Sequence, residues 1–247
     1  MADMDTAPGI MAETASLNRR DGQRALLRLM AWLSPAFPVG GFAYSGGLES
    51  AVVEGHVRNA DDLHSWLALL LGQGGLRNDA ILFVEAHRRQ TEGGDLGELV
   101  ELAAALAGSA ERHAEITRQG EAFVTAAAGW PHPVLERLPG PVAYSVAVGA
   151  IAAAHGVEAG DALAAFLHGQ VSQLVSVAIR LGVIGQSHGV RLIAGFEEQI
   201  VQALPSLEIL GLDDLGSAAI AAETLSMRHE TQYSRLFQSW QNTGSQA

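Results

Sequence analysis

Nine histidines are the first place to seek a metal ligand or a general base: His56, His64, His87, His113, His132, His155, His168, His188 and His229. None stands in His-x-His or His-Glu-x-x-His, the spacings that put two ligands on one helical face. Each taken singly fits a surface or capping role better than a zinc site, so no metal ligand is assigned. Thiol chemistry is excluded, because the chain has no Cys: no thiolate nucleophile, disulfide or iron–sulfur cluster. All 15 cations are Arg, and without Lys there is no Schiff base and no phosphate lysine of the Walker type. Ala43-Tyr44-Ser45-Gly46-Gly47 comes near the nucleophile elbow Gly-x-Ser-x-Gly, but it begins with Ala and lacks the strand–turn–helix setting. Gly72-Gln73-Gly74-Gly75 lies between two helical patterns and reads as a turn rather than a phosphate cradle. An enzyme built on this chain would have to use Glu, His and Arg as acid–base groups. Glu49, His229 and Glu230 would be its first suspects.

Three segments resist a bland explanation. Residues 33–49, LSPAFPVGGFAYSGGLE, set Phe37, Val39, Phe42 and Tyr44 among turn formers. Solvent-facing loops seldom carry so much apolar area, so this one either folds onto the core or forms an interaction surface. Residues 176–189, SVAIRLGVIGQSHG, place Arg180 as the first charge after a long neutral run. A cation there complements a helix C-terminus, and Gln186 and Ser187 can satisfy the first amides of a following helix. Residues 226–237, SMRHETQYSRLF, carry the Met, Tyr, Phe and Arg typical of interface cores, close to the chain's end. A solvated tail would not need them, and a segment that orders on binding a partner would.

The elements that must position these segments are helices. Leu26, Leu29, Met30 and Leu33 share one face of a first helix, and Leu63, Trp66, Leu67, Leu70 and Leu71 form a second stripe after an Asn59/Asp61 start signal. Further helices are predicted from Ile81 to near Gln90, from Leu99 to Leu106 and from a Ser109 cap to Ala127. Others are predicted over 142–155, 161–181, 188–203 (stopped before Pro205) and 217–227. No segment shows β-alternation with hairpin turns. Residues 138–157 and 162–179 are free of charge and rich in Ala. Length alone would permit a membrane hairpin, but the Pro, Gly and Gln within them favour buried helices of a soluble fold.

Composition agrees. Of 247 residues, 41 are Ala and only 8 are Pro, which suits closely packed helices. A net charge of −12 without a basic stripe excludes nucleic acid as a favoured partner. The expectation is an all-α protein: a single compact helical domain of about eight to ten helices, two of them central and buried. Residues 1–18 are expected to form a disordered leader, 19–227 the helical domain and 228–247 a C-terminal tail ordered on partner binding. No signal peptide is evident.

Taken in order, the three segments resemble the UreF family of urease accessory proteins, over residues 26–239. The resemblance rests on Ser34-Pro35, Phe37-Pro38-Val39-Gly40, Phe42-Ala43-Tyr44-Ser45 and Gly47-Leu48-Glu49, then Arg180-Leu181 and Gly185-Gln186, then the run from Ser226 to Phe237. The chain departs from the usual pattern at Val183-Ile184, where Pro-Leu is common, and at Gly46, where a polar residue is common. The resemblance implies an all-α, dimeric, cytoplasmic scaffold with no catalytic site. Such a protein joins UreD (also called UreH), recruits the GTPase UreG and modulates it, and helps deliver nickel to apo-urease. Nickel is then cargo of the assembled complex, and no cofactor is held stably by this chain. Partner-binding roles carry over to Phe37, Phe42, Tyr44, Ser45 and Glu49 and to Met227, Arg228, His229, Glu230, Tyr233, Arg235 and Phe237. Pro38, Gly40, Arg180, Gly185 and Gln186 are expected to be structural or to face the dimer.

Overall fold

In the computed structural model, which describes residues 7–138 and 140–238, the apolar stripes become helices and no strand occurs among those residues. The elements are α1 (Ala7–Trp32), α2 (Leu48–Val53), α3 (Ala60–Gln73), α4 (Gly75–Glu92) and α5 (Gly97–Ala105), then α6 (Ala110–Ala127), α7 (Tyr144–Ala154), α8 (Ala159–Arg180), α9 (Gln186–Leu207) and α10 (Ile220–His229). Short 3-10 turns cover Gly41–Ala43, Pro133–Arg137 and Leu212–Asp214. The all-α expectation holds. Part of the expected leader is helical, since α1 reaches back to Ala7, and residues 1–6 lie outside those described.

α7 is the axis of the core. Every residue from Tyr144 to Ala152 is buried, as expected of a helix apolar all round. α4 crosses it closely and contributes Leu82, Phe83 and Ala86; Phe83 and Phe166 of α8 meet with ring centroids 5.2 Å apart. α8 buries Leu163, Phe166, Leu167, Val171 and Leu174 and turns His168 and Ser176 outward. Residues 60–92 and α8 are long and apolar enough to cross a membrane, but about half of each apolar window is buried inside this fold.

Two boundaries depart most from the expected ones. α4 begins at Gly75 rather than Ile81, because only Gly74 breaks the backbone between α3 and α4. α9 runs through Pro205 to Leu207. A proline in the last turn forfeits one hydrogen bond, and Glu208 N–H still reaches the Leu204 carbonyl at 2.9 Å. α2, which no periodicity announced, is six residues long and follows Gly47 directly.

The caps follow the start signals. Ser109 accepts from Arg112 N–H at 3.0 Å and starts α6. Asn59 accepts from the amides of Asp61 and Asp62 at 2.9 and 3.0 Å and starts α3. Asn59→Ala leaves these two amides without their acceptor and is expected to cost about 1 kcal/mol, read as a lower urea midpoint at unchanged slope.

Candidate functional site

The loop after α1 is held down by aromatic packing. Phe37 lies against Phe123 of α6, with centroids 5.4 Å apart, and against Trp130 at 6.3 Å. Buried Trp32 meets Trp130 edge-on. The chain then turns at Gly40, passes Tyr44 and Ser45, both buried, and enters α2 through Gly47. Gly47 has φ +80, and a Cβ there would sit 3.3 Å from the backbone of Ser226. The left-handed turn and the close approach of α10 both require glycine.

That approach places Glu49, Glu111 and His229 together, from α2, α6 and α10. His229 is fully buried. Its Nδ1 lies 2.7 Å from both Glu111 carboxylate oxygens, and its Nε2 lies 2.7 Å from Glu49 Oε2. Ionised carboxylates accept only, so the arrangement favours an imidazolium, whose two N–H groups can satisfy both, over either neutral tautomer. Burial pushes its pKa down, but hydrogen bonds and charge from Glu111 and Glu49 outweigh this and raise it above the ordinary value.

The residues after α10 form a strap bound to the same carboxylate. Glu49 accepts backbone N–H bonds from Leu236 at 2.6 Å and Phe237 at 3.1 Å. Gln238 N–H donates to the Ala43 carbonyl at 2.8 Å. Ser50 bonds the Gln232 side chain at 3.1 Å, and Glu230 accepts from Glu111 N–H at 3.1 Å. Arg180, at the end of α8, donates to the Phe42 carbonyl and stacks over the buried Phe237 ring, 4.2 Å from its centroid. All three sequence segments therefore meet at one place.

Residues 228–238 of the expected tail pack against the domain: Glu49 accepts from the Leu236 and Phe237 amides, and Phe237 fills a buried position. The rest of the expected tail, 239–247, lies outside the described residues. Of the residues expected to bind partners, Tyr44, Ser45, Glu49, His229 and Phe237 are buried. Phe37 and Glu230 are half-buried and engaged as described, as is Arg235, which donates to the Glu230 carbonyl at 3.1 Å. Phe42, Met227 and Tyr233 are exposed, and so is Leu236 between the anchored residues. Arg228 is exposed and paired with Glu54 at 2.7 Å. Pro38 is exposed, Gly40 is a left-handed turn, and Arg180 joins loop to strap. Gly185 and Gln186 are exposed at the start of α9.

Glu111 was missed by the sequence reading, as were Asp79, Arg112 and Glu115. Arg112 pairs with Asp79 and, at 3.0 Å, with Glu115 beside a cavity of about 190 Å³ under α10. Burial raises the Glu115 pKa against the pull of Arg112. Burial would lower that of Arg112, but Asp79 and Glu115 carry it upward. A signal existed: Glu111, Glu115 and Gln119 recur every four residues, a polar row on one face of α6.

Chemically, the arrangement is a clamp. The enzyme suspects Glu49 and His229 line neither this cavity nor the larger groove of about 940 Å³ between α1, α8 and α9. Both side chains are buried. The two carboxylates sit on opposite ring nitrogens and do not converge on a common point. No group of three or more His, Asp or Glu among the described residues is arranged to hold a metal ion.

Comparison with known proteins gives the same answer as the motifs. The UreF family model matches residues 57–197, more than half of the chain. The chain is 56% identical to the urease accessory protein UreF of Rhizobium etli over 216 residues, 87% of this chain and 97% of that protein. It is 57% identical to that of Mesorhizobium japonicum over 215 residues, 87% of this chain and 96% of that protein. It is 53% identical to that of Agrobacterium fabrum over 223 residues, 90% of this chain and all of the relative. With the family model matching more than half of the chain and relatives matching along most of its length, the chain belongs to the UreF family of urease accessory proteins.

Proposed function

We propose that this chain is a non-catalytic scaffold of urease maturation. It docks on UreD/UreH through the face made by residues 37–49 and 220–238, recruits the GTPase UreG and modulates it, and so assists nickel delivery to apo-urease. Nickel passes as cargo of the assembly, and the chain works in the cytoplasm as a homodimer. The observation that carries this reading is the placement of exposed Phe42, Met227, Tyr233 and Leu236 on segments pinned from behind by Glu49, His229 and Arg180. Exposed apolar side chains on a rigid support bind a partner without a large ordering cost, and aromatic anchors of this kind dominate interface energetics.

The test is light scattering on a sizing column with UreD and UreG from the same cell. A homodimer alone and a larger complex with both partners are expected. The double variant Phe42→Asp/Tyr233→Ala, whose side chains support nothing in the fold, is expected to weaken complex formation by more than about tenfold. Its circular dichroism should match the parent. Unchanged binding by that variant would remove the face from the assembly.

A further inference from the structure

The clamp contains a device of its own. His229 is closed in on both sides by acceptors and has no contact with solvent. We propose that His229 makes the C-terminal strap a proton-dependent latch, closed while its imidazolium joins α2 to α6 and released when the ring loses one proton.

The charges around the ring show why the latch responds to one proton. Glu49 faces Nε2 from α2, and Glu111 faces Nδ1 from α6. Glu230, on the next residue, is turned to the Glu111 amide. Arg235 reaches back from the strap to the His229 and Glu230 carbonyls. Arg228 is paired with Glu54 at the surface, and Arg180 covers Phe237 from α8. A neutral ring would set a nitrogen lone pair against a carboxylate at 2.7 Å in a buried setting. Glu49, without the cation that balances its charge and facing the ring's lone pair, would shift and draw its oxygens away from the Leu236 and Phe237 amides. The strap, anchored through the same carboxylate, is the part that yields.

The direction follows from linkage. The His229 pKa is raised in the fold, so the latch's contribution is complete below the ordinary value of 6.5 and is lost as pH rises through the folded value. The strap therefore opens on the alkaline side.

Hydrogen exchange of the full chain, corrected for the intrinsic pH dependence, is measured from about pH 6 to about pH 10. Protection at Leu236 and Phe237 is expected to fall about tenfold per pH unit above the folded pKa, while α7 stays protected. His229→Gln is expected to be loose at every pH, with no step. Glu111→Gln removes one of the two flanking charges and should move the step to lower pH. Should His229→Gln fail to fold, this second variant still decides the matter. Phe237→Ala lowers protection throughout and leaves the step in place. Three results would overturn the latch: flat protection while the ring titrates by NMR, flat protection with the ring protonated to the end of the range, or a step unmoved by Glu111→Gln. Release would also carry Tyr233 and Leu236 out of the docking face. That consequence alone rests on the docking reading and is scored by complex formation, whereas exchange needs only this chain.

Discussion

Glu49→Ala is expected to destabilise the protein by about 3–5 kcal/mol, because it strips a buried imidazolium of one counter-charge and leaves two strap amides without an acceptor. For a chain of this size that corresponds to a fall in Tm on the order of 10 °C. The loss is not uniform: α2 and the strap should show it first in hydrogen exchange, since both are tied through this one carboxylate. Glu49→Gln separates the two roles. Its amide oxygen can still accept from a backbone N–H, but it carries no charge for His229. It is expected to lose less stability than the alanine variant while loosening the same segment. A chain whose urea midpoint is unmoved by Glu49→Ala would show that the clamp contributes nothing to the fold.

Gly120→Ala is expected to be comparably damaging for a different reason. A Cβ at Gly120 would lie 1.9 Å from the Val142 carbonyl oxygen, and the obstacle is backbone, not a side chain that can swing away. α6 would have to withdraw from the segment leading into α7. Overpacking of this kind reaches about 3 kcal/mol. The displacement would also draw Glu111 and Arg112 from His229 and Asp79, since both ride on α6. Gly195→Ala is the control. Gly195 is exposed in the middle of α9, with nothing within 4 Å of an added Cβ. There the methyl group should stabilise the helix by about 1 kcal/mol. Urea denaturation of the pair reads both signs, and equal effects would mean that close approach at Gly120 is not what restricts α6.

Much of the fold was legible because a helix is announced locally. The Leu63–Leu71 stripe, the Asn59 and Ser109 caps and the breaks at Gly108 and Gly182 all declare themselves within one or two turns of chain. α2 was not legible, since six residues are too few to show a period. The extension of α9 through Pro205 was hidden by a residue that ordinarily ends a helix. At the site, the Ser226–Phe237 run and Glu49 were readable as unusual. The direction of their side chains was not: His229 and Phe237 look like surface recognition residues in sequence and are the buried core of the clamp. Glu111 escaped notice because an acidic residue in the first turn of a helix already has a sufficient local explanation.

By itself the sequence determined the all-helical class, the absence of thiol and lysine chemistry and, through its motifs, the family. Each of these depends on residue type or on spacing along a few turns. Only the tertiary structure decided that Glu49, Glu111 and His229, far apart in the chain, meet at one buried ring, and which side chains around them remain exposed. Contact across some 180 residues, as between Glu49 and His229, leaves no periodic trace, because it is set by how whole helices pack and not by the local backbone.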